Sequence, residues 1–192
     1  MLQNSEAERS HPLEEKKESY FGANFLNHGQ SDVNLDAINA AKIVCLFFGA
    51  QRCPACKAFL PLLVEFYKEV NFDEPLMEVM YVASDETDAQ FNEFFGKMPW
   101  KAIPLADERT QRFKNMYGVI GIPKLVVLTA QGAVVTKEGR TTVVEKGENA
   151  WLEWLEQRER LPSLSPVVIA KEAENTMVAS TVIDNKSKLT SV

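Results

Sequence analysis

The feature that most constrains the fold of this chain is an apolar run that ends just short of a Cys-x-x-Cys motif and is followed by a long amphipathic stretch. Ile43-Val44-Cys45-Leu46-Phe47-Phe48 is rich in β-branched and aromatic residues and has no polar alternation. That pattern predicts a central strand covered on both faces. Beyond Cys53-Pro54-Ala55-Cys56, the residues Phe59, Leu62, Leu63, Phe66, Tyr67 and Val70 recur every three to four positions. This spacing predicts one helix from about Pro54 to Val70 with a single apolar stripe, kinked at Pro61.

A cysteine in that place has defined chemistry. Cys53 falls at the first turn of the predicted helix, where unpaired backbone N–H groups and the positive end of the helix dipole favour an anion. Arg52 and Lys57 add positive charge, and thiols so placed ionise below the free value of about 8.5. Cys53 is therefore the candidate nucleophile. Cys56, three residues beyond it on the same turn, is the candidate resolving thiol that attacks a mixed disulfide and releases the product. Pro54 suits the first helical position, since its fixed φ matches the helix and its missing N–H is not needed there. The expected redox group is the Cys pair itself, with no cofactor.

Composition narrows the setting. The chain has 192 residues, a formal net charge of −6 and three cysteines. Acidic balance argues against nucleic acid or an anionic membrane surface as partner, because phosphates reward clustered Lys and Arg. The longest apolar run is far below the roughly 20 residues of a membrane-spanning helix. The first residues lack the basic start and apolar stretch of a secretory signal. A cytoplasmic protein, with the nucleus as a second location, is the expectation, and in a reducing compartment a close Cys pair is catalytic or metal-binding rather than a structural staple.

Residues 1–20 are polar and charged without apolar periodicity and are expected to form a disordered lead. Residues 21–160 read as one α/β domain, and 161–192 as a flexible Ser, Thr, Lys and Val tail. Phe21 to Leu35, interrupted by Gly22, Asn27-His28-Gly29 and Asp32, suits a short N-terminal hairpin at a sheet edge. Met77 to Val82 predicts a second buried strand, Asp88 to Lys97 an amphipathic helix, Ile103 to Leu105 an extended piece and Glu108 to Tyr117 another helix. Lys124 to Thr129 and Ala133 to Lys137 form a hairpin about Gln131-Gly132 with a connection of two residues or close to it. Asn149 caps a last helix whose apolar face is Trp151, Leu152, Trp154 and Leu155, with Arg158 and Arg160 toward its C-terminal end and Pro162 after it. The order describes a mixed central sheet with helices on both faces.

Strand, Cys-x-x-Cys, helix with an internal Pro61, and a distant Gly121-Ile122-Pro123 before a hairpin together resemble the thioredoxin superfamily. Phe47-Phe48-Gly49-Ala50, Phe66-Tyr67, Val82-Ala83-Ser84-Asp85-Glu86 and Lys97-Met98-Pro99-Trp100 resemble its tryparedoxin and nucleoredoxin branch, over about Phe25 to Gln157. The resemblance implies a thioredoxin-like fold and a cis Ile122–Pro123 bond facing the Cys pair. It also leaves the Ile122 backbone free to pair with an extended substrate. Arg52, Pro54, Ala55, Ile122 and Pro123 would then line the substrate site. The implied activity is thiol-disulfide oxidoreduction on protein or peptide disulfides by a monomer, with electrons from an upstream dithiol or reductase. The alternative is a nucleoredoxin-like module that senses or holds a partner with little turnover.

Three positions depart from the family pattern. Arg52 stands where a Trp usually precedes the first Cys, Phe47 where thioredoxins place a buried acid, and Ser84 where tryparedoxins carry a Trp. With the strand acid gone, Asp85 or Glu86 becomes the candidate proton acceptor for Cys56, set against the plainer reading of each as a solvated turn carboxylate. No metal is expected: His11, His28 and Cys45 add no second close ligand spacing. Cys45 belongs to the core, His28 to a turn, and Trp100, Trp151 and Trp154 to packing. Thr190-Ser191-Val192 fits a terminal-carboxylate docking pattern of low specificity.

Overall fold

The computed structural model describes residues 19–27, 30–32 and 36–162. The lead up to residue 18, His11, His28 and the terminal Thr190-Ser191-Val192 lie outside the described residues. Among the described residues the sheet has seven strands in the order β2-β1-β5-β4-β3-β6-β7. At its centre β3 (Ile43–Gly49) runs parallel to β4 (Met77–Ala83) and antiparallel to β6 (Lys124–Leu128). All seven residues of β3 are buried, which is the burial that an uninterrupted apolar run requires, and all seven of β4 are buried too, Glu78 among them. On the far side of β4, β5 (Lys101–Ala102) is parallel, and the hairpin of β1 (Phe25–Asn27) and β2 (Gln30–Asp32) extends that edge antiparallel. β7 (Val134–Thr136) closes the opposite edge.

Alternate residues of the central strands feed two cores. Ile43, Cys45 and Phe47 point into one, with side chains from α2 (Pro54–Val70), α3 (Asp88–Phe95), α5 (Gly139–Lys146) and α6 (Asn149–Glu159). Val44, Leu46 and Phe48 point into the other, covered by α1 (Asp36–Ala40), α4 (Glu108–Tyr117) and Phe21 and Phe25 of the N-terminal segment. The period-two alternation of one strand thus builds a three-layer α/β sandwich.

Several expectations need correction. The second strand of the 124–137 hairpin pairs Leu128 with Val134, so the connection spans Thr129 to Ala133 and is held by Thr129 N–H to Ala133 O at 2.9 Å. The short strand is Lys101–Ala102 rather than 103–105, and Ile103 adds one further bond to Tyr81 O at 2.9 Å. Asn149 is the first residue of α6, not its cap; Glu148 holds the cap position without a side-chain bond. Leu152 is 63% exposed, and Ala150 with Trp154 forms the buried face of α6 instead. α5 had no counterpart in the sequence reading. Tyr20, assigned to the lead, packs on the second core and bonds through its hydroxyl to Tyr117 at 3.0 Å. α2 itself runs from Pro54 to Val70 with Pro61 inside it, the bounds that the sequence predicts.

Candidate active site

Cys53 is the N-cap of α2, with extended φ −90° and ψ 111°. Its Sγ accepts the backbone N–H of Cys56 at 3.1 Å, so the sulfur satisfies one of the orphan donors of the first turn. A thiolate accepts such a bond better than a thiol does. Pro54 and Ala55 are exposed, Cys53 is half-buried and Cys56 is fully buried. Cys45, Cys53 and Cys56 are free thiols. Burial above all, then the hydrogen bond to Cys53 and the nearby charges of Cys53 and Asp85, pushes the Cys56 thiol up to about 12. Cys45, fully buried in β3, is raised by the same desolvation, with Glu78 adding to it.

The distant proline reaches this point through strand register. β6 pairs Lys124 with Phe48, which sets the preceding Ile122-Pro123 beside the end of β3. The Ile122–Pro123 bond is cis, and the carbonyl of Ile122 lies 3.8 Å from Cys53 Sγ. Ile122 is partly exposed and Pro123 buried, while Ile120 stands fully exposed on the same loop.

Parallel register on the other side brings in the acid. Gly49 pairs with Ala83, so Gln51 and Asp85 leave the two strands side by side, and Gln51 N–H donates to Asp85 Oδ1 at 2.7 Å. Tyr81 donates its hydroxyl to Asp85 Oδ2 at 2.5 Å and lies 3.2 Å from Gly49 O. Asp85 is 9% exposed, which overturns its reading as a solvated turn carboxylate. Burial, followed by the bond to Asp85, raises the Tyr81 hydroxyl and keeps it protonated. Glu86 does match a solvated carboxylate: its side chain is 71% exposed and 3.3 Å from Arg52. Arg52 also donates from Nη1 to Ser84 O at 2.8 Å. Phe47 occupies the aromatic cluster with Tyr81 and Phe94.

Tyr81 and Gln51 were not singled out from the sequence. A Tyr in the mostly apolar 77–82 strand was the available signal for the first; Gln51 acts through its backbone and gave none. Among the described residues no group of three or more His, Cys, Asp or Glu is placed to hold a metal, and no helix is long and apolar enough to cross a membrane.

A thioredoxin-like family model matches residues 40–134. Probable nucleoredoxin 1 of Arabidopsis thaliana is 38% identical over 110 residues, covering 57% of this chain and 19% of that protein. Human nucleoredoxin is 35% identical over 112 residues, 58% of this chain and 26% of that protein, so the chain spans only about a fifth to a quarter of these nucleoredoxins. Tryparedoxin of Trypanosoma brucei brucei is 34% identical over 135 residues, 69% of this chain and 92% of that protein. The structure of native tryparedoxin I from Crithidia fasciculata superposes with a TM-score of 0.60 at 36% identity, covering 67% of this chain and 90% of that one. Sequence and fold therefore agree over nearly the whole of a tryparedoxin, and the chain belongs to the tryparedoxin and nucleoredoxin-like branch of the thioredoxin superfamily, a family of thiol-disulfide oxidoreductases.

Proposed function

We propose that this domain reduces disulfides of proteins or peptides through Cys53 and Cys56, with the Cys pair as its only redox group. The observation that carries the reading is the asymmetry of the pair: Cys53 is accessible and hydrogen-bonded at the helix start, whereas Cys56 is buried and held protonated. Cys53 Sγ attacks one substrate sulfur, the substrate S–S bond breaks, and the departing thiolate takes up a proton. Cys56 then gives up its proton and attacks Cys53 Sγ, releasing the second substrate thiol and leaving a Cys53–Cys56 disulfide. The two electrons gained by the substrate come from the dithiol, and an upstream dithiol or reductase restores it.

Asp85 serves as proton acceptor for Cys56. Its charge is felt at that thiol, and its hold on Tyr81 and the Gln51 backbone fixes it next to the Cys loop. The cis Ile122–Pro123 segment supports docking of an extended substrate, because the Ile122 backbone sits at Cys53 on an exposed loop.

Dithiol-driven reduction of a protein disulfide tests the proposal. Turnover is expected in the native chain and lost in Cys53→Ser, while Cys56→Ser accumulates a stable mixed disulfide on Cys53. Absence of both turnover and the trapped adduct would refute it, and redox-dependent capture of one partner without turnover would put the sensing module in its place.

A further inference from the structure

Arg52 immediately precedes the reactive sulfur, and its guanidinium is anchored at the rim of the site rather than buried in it. Nη1 bonds to the Ser84 carbonyl at 2.8 Å and pairs with Glu86 at 3.3 Å, the two side chains being 48% and 71% exposed. Both contacts are made by Nη1, and a guanidinium offers donors along its Nη2 edge as well, in a fork that matches a carboxylate. So exposed a pair gains little over separate hydration, so another carboxylate can replace Glu86 at small cost. Ile120, two residues before Ile122, is a fully exposed apolar side chain on the same loop.

We infer that Arg52 selects substrate: the site prefers disulfides whose reacting cysteine is flanked by Asp or Glu, the substrate carboxylate displacing Glu86 from the guanidinium as the cysteine sulfur reaches Cys53. This inference rests on the oxidoreductase reading and names its substrate class. Glu86 is the internal stand-in for the substrate acid. In the exchange Cys53 Sγ bonds to the substrate sulfur, the substrate S–S bond breaks, and the departing thiolate leaves with the electron pair and gains a proton.

The test uses the reduced full chain and symmetric peptide disulfides that differ only in the residues on either side of cysteine, Glu, Gln or Lys, with the rate of exchange at Cys53 read by rapid mixing at low salt. The Glu peptide is expected to react about three- to tenfold faster than the Lys peptide, the size of one screened charge pair near the surface. Arg52→Gln brings that ratio close to one, and Glu86→Gln widens it by removing the competitor. Raising salt to several Debye lengths' worth of screening narrows it. Exchange with equal rates for all three peptides, or a ratio unchanged in Arg52→Gln, overturns the inference and leaves the oxidoreductase reading intact. Failure of every peptide to exchange refutes that reading and this one with it.

Discussion

The Tyr81 hydroxyl donates to Asp85 Oδ2 at 2.5 Å at the end of the strand that flanks the Cys loop, and both groups are buried. In a chain with Phe47 at the centre of the neighbouring strand, a buried acid lies instead two residues beyond the end of β4. Asp85→Asn keeps the shape and an acceptor for the Gln51 N–H but removes the base. Release of product from the Cys53 mixed disulfide is expected to slow by about tenfold to a hundredfold at neutral pH. The deficit narrows as pH rises toward about 12, where Cys56 ionises unaided. Since the Asp85 charge raises the Cys56 thiol, a carboxylate acting through charge alone would give the reverse, faster release in Asp85→Asn. Single-turnover release measured across pH distinguishes the two.

Alkylation separates the three cysteines. Cys45 and Cys56 are fully buried and raised by desolvation, while Cys53 is partly exposed at the helix start. Iodoacetamide at neutral pH is expected to label Cys53 alone in the native reduced protein, read by peptide mass. In Cys53→Ser the remaining thiols are expected to show thiolate absorbance only well above the ordinary value of about 8.5, because burial, the largest cause of the Cys56 shift, survives the substitution. Rapid labelling of Cys56 in that variant would contradict the buried resolving thiol.

The sequence made legible whatever is encoded in local pattern. The uninterrupted run at 43–48 marks the central strand, the stripe from Phe59 to Val70 marks α2, and Glu108 to Tyr117 matches α4 at both ends. Cys53 and Cys56 could be assigned roles because helix-start chemistry follows from adjacency. What stayed hidden depends on register between distant strands. The burial of Asp85 comes from the pairing of Gly49 with Ala83, and nothing in Ser84-Asp85-Glu86 tells the buried acid from the exposed one. α5 was hidden for another reason: its weakly amphipathic run begins with a glycine that reads as a breaker.

Arg109 shows the same limit in stability. It is 7% exposed, grips Asp107 through Nε and Nη2, each at 2.8 Å, and donates to the carbonyls of Phe21, Ala23 and Asn24 at 3.2, 2.6 and 2.8 Å. One side chain thus ties the N-terminal segment to the start of α4. Arg109→Met leaves three carbonyls without this donor and the Asp107 carboxylate with only the backbone N–H of residue 109, and is expected to cost on the order of 3 kcal/mol in denaturant unfolding. Arg109 also holds the Asp107 carboxyl below its usual range, chiefly by the side-chain hydrogen bond. A depressed folded value means that this stabilisation is complete above the unfolded value of about 3.9 and is lost as pH falls through the folded value. The native protein should therefore lose stability more steeply than Arg109→Met below about pH 4. Equal midpoints at neutral pH would show that the clamp is not needed.

Gly139, the first residue of α5, is buried, and a Cβ there would lie 2.6 Å from Val127 Cγ2 and 2.9 Å from the backbone oxygen of Leu125. The valine methyl has room to turn, but the Leu125 carbonyl belongs to β6, which is paired to β3 on one side and β7 on the other. An added methyl therefore has to push α5 off the sheet or bend the strand that follows Pro123. The helical preference of Ala over Gly, about 1 kcal/mol in a helix interior, counts for less at the first position, whose N–H has no partner within the helix. Steric cost should win, and Gly139→Ala is expected to lower stability by about 1–3 kcal/mol, read as an earlier denaturant midpoint with an unchanged slope. A variant as stable as the native chain, or more so, would show that α5 does not rest against β6 as closely as these contacts require.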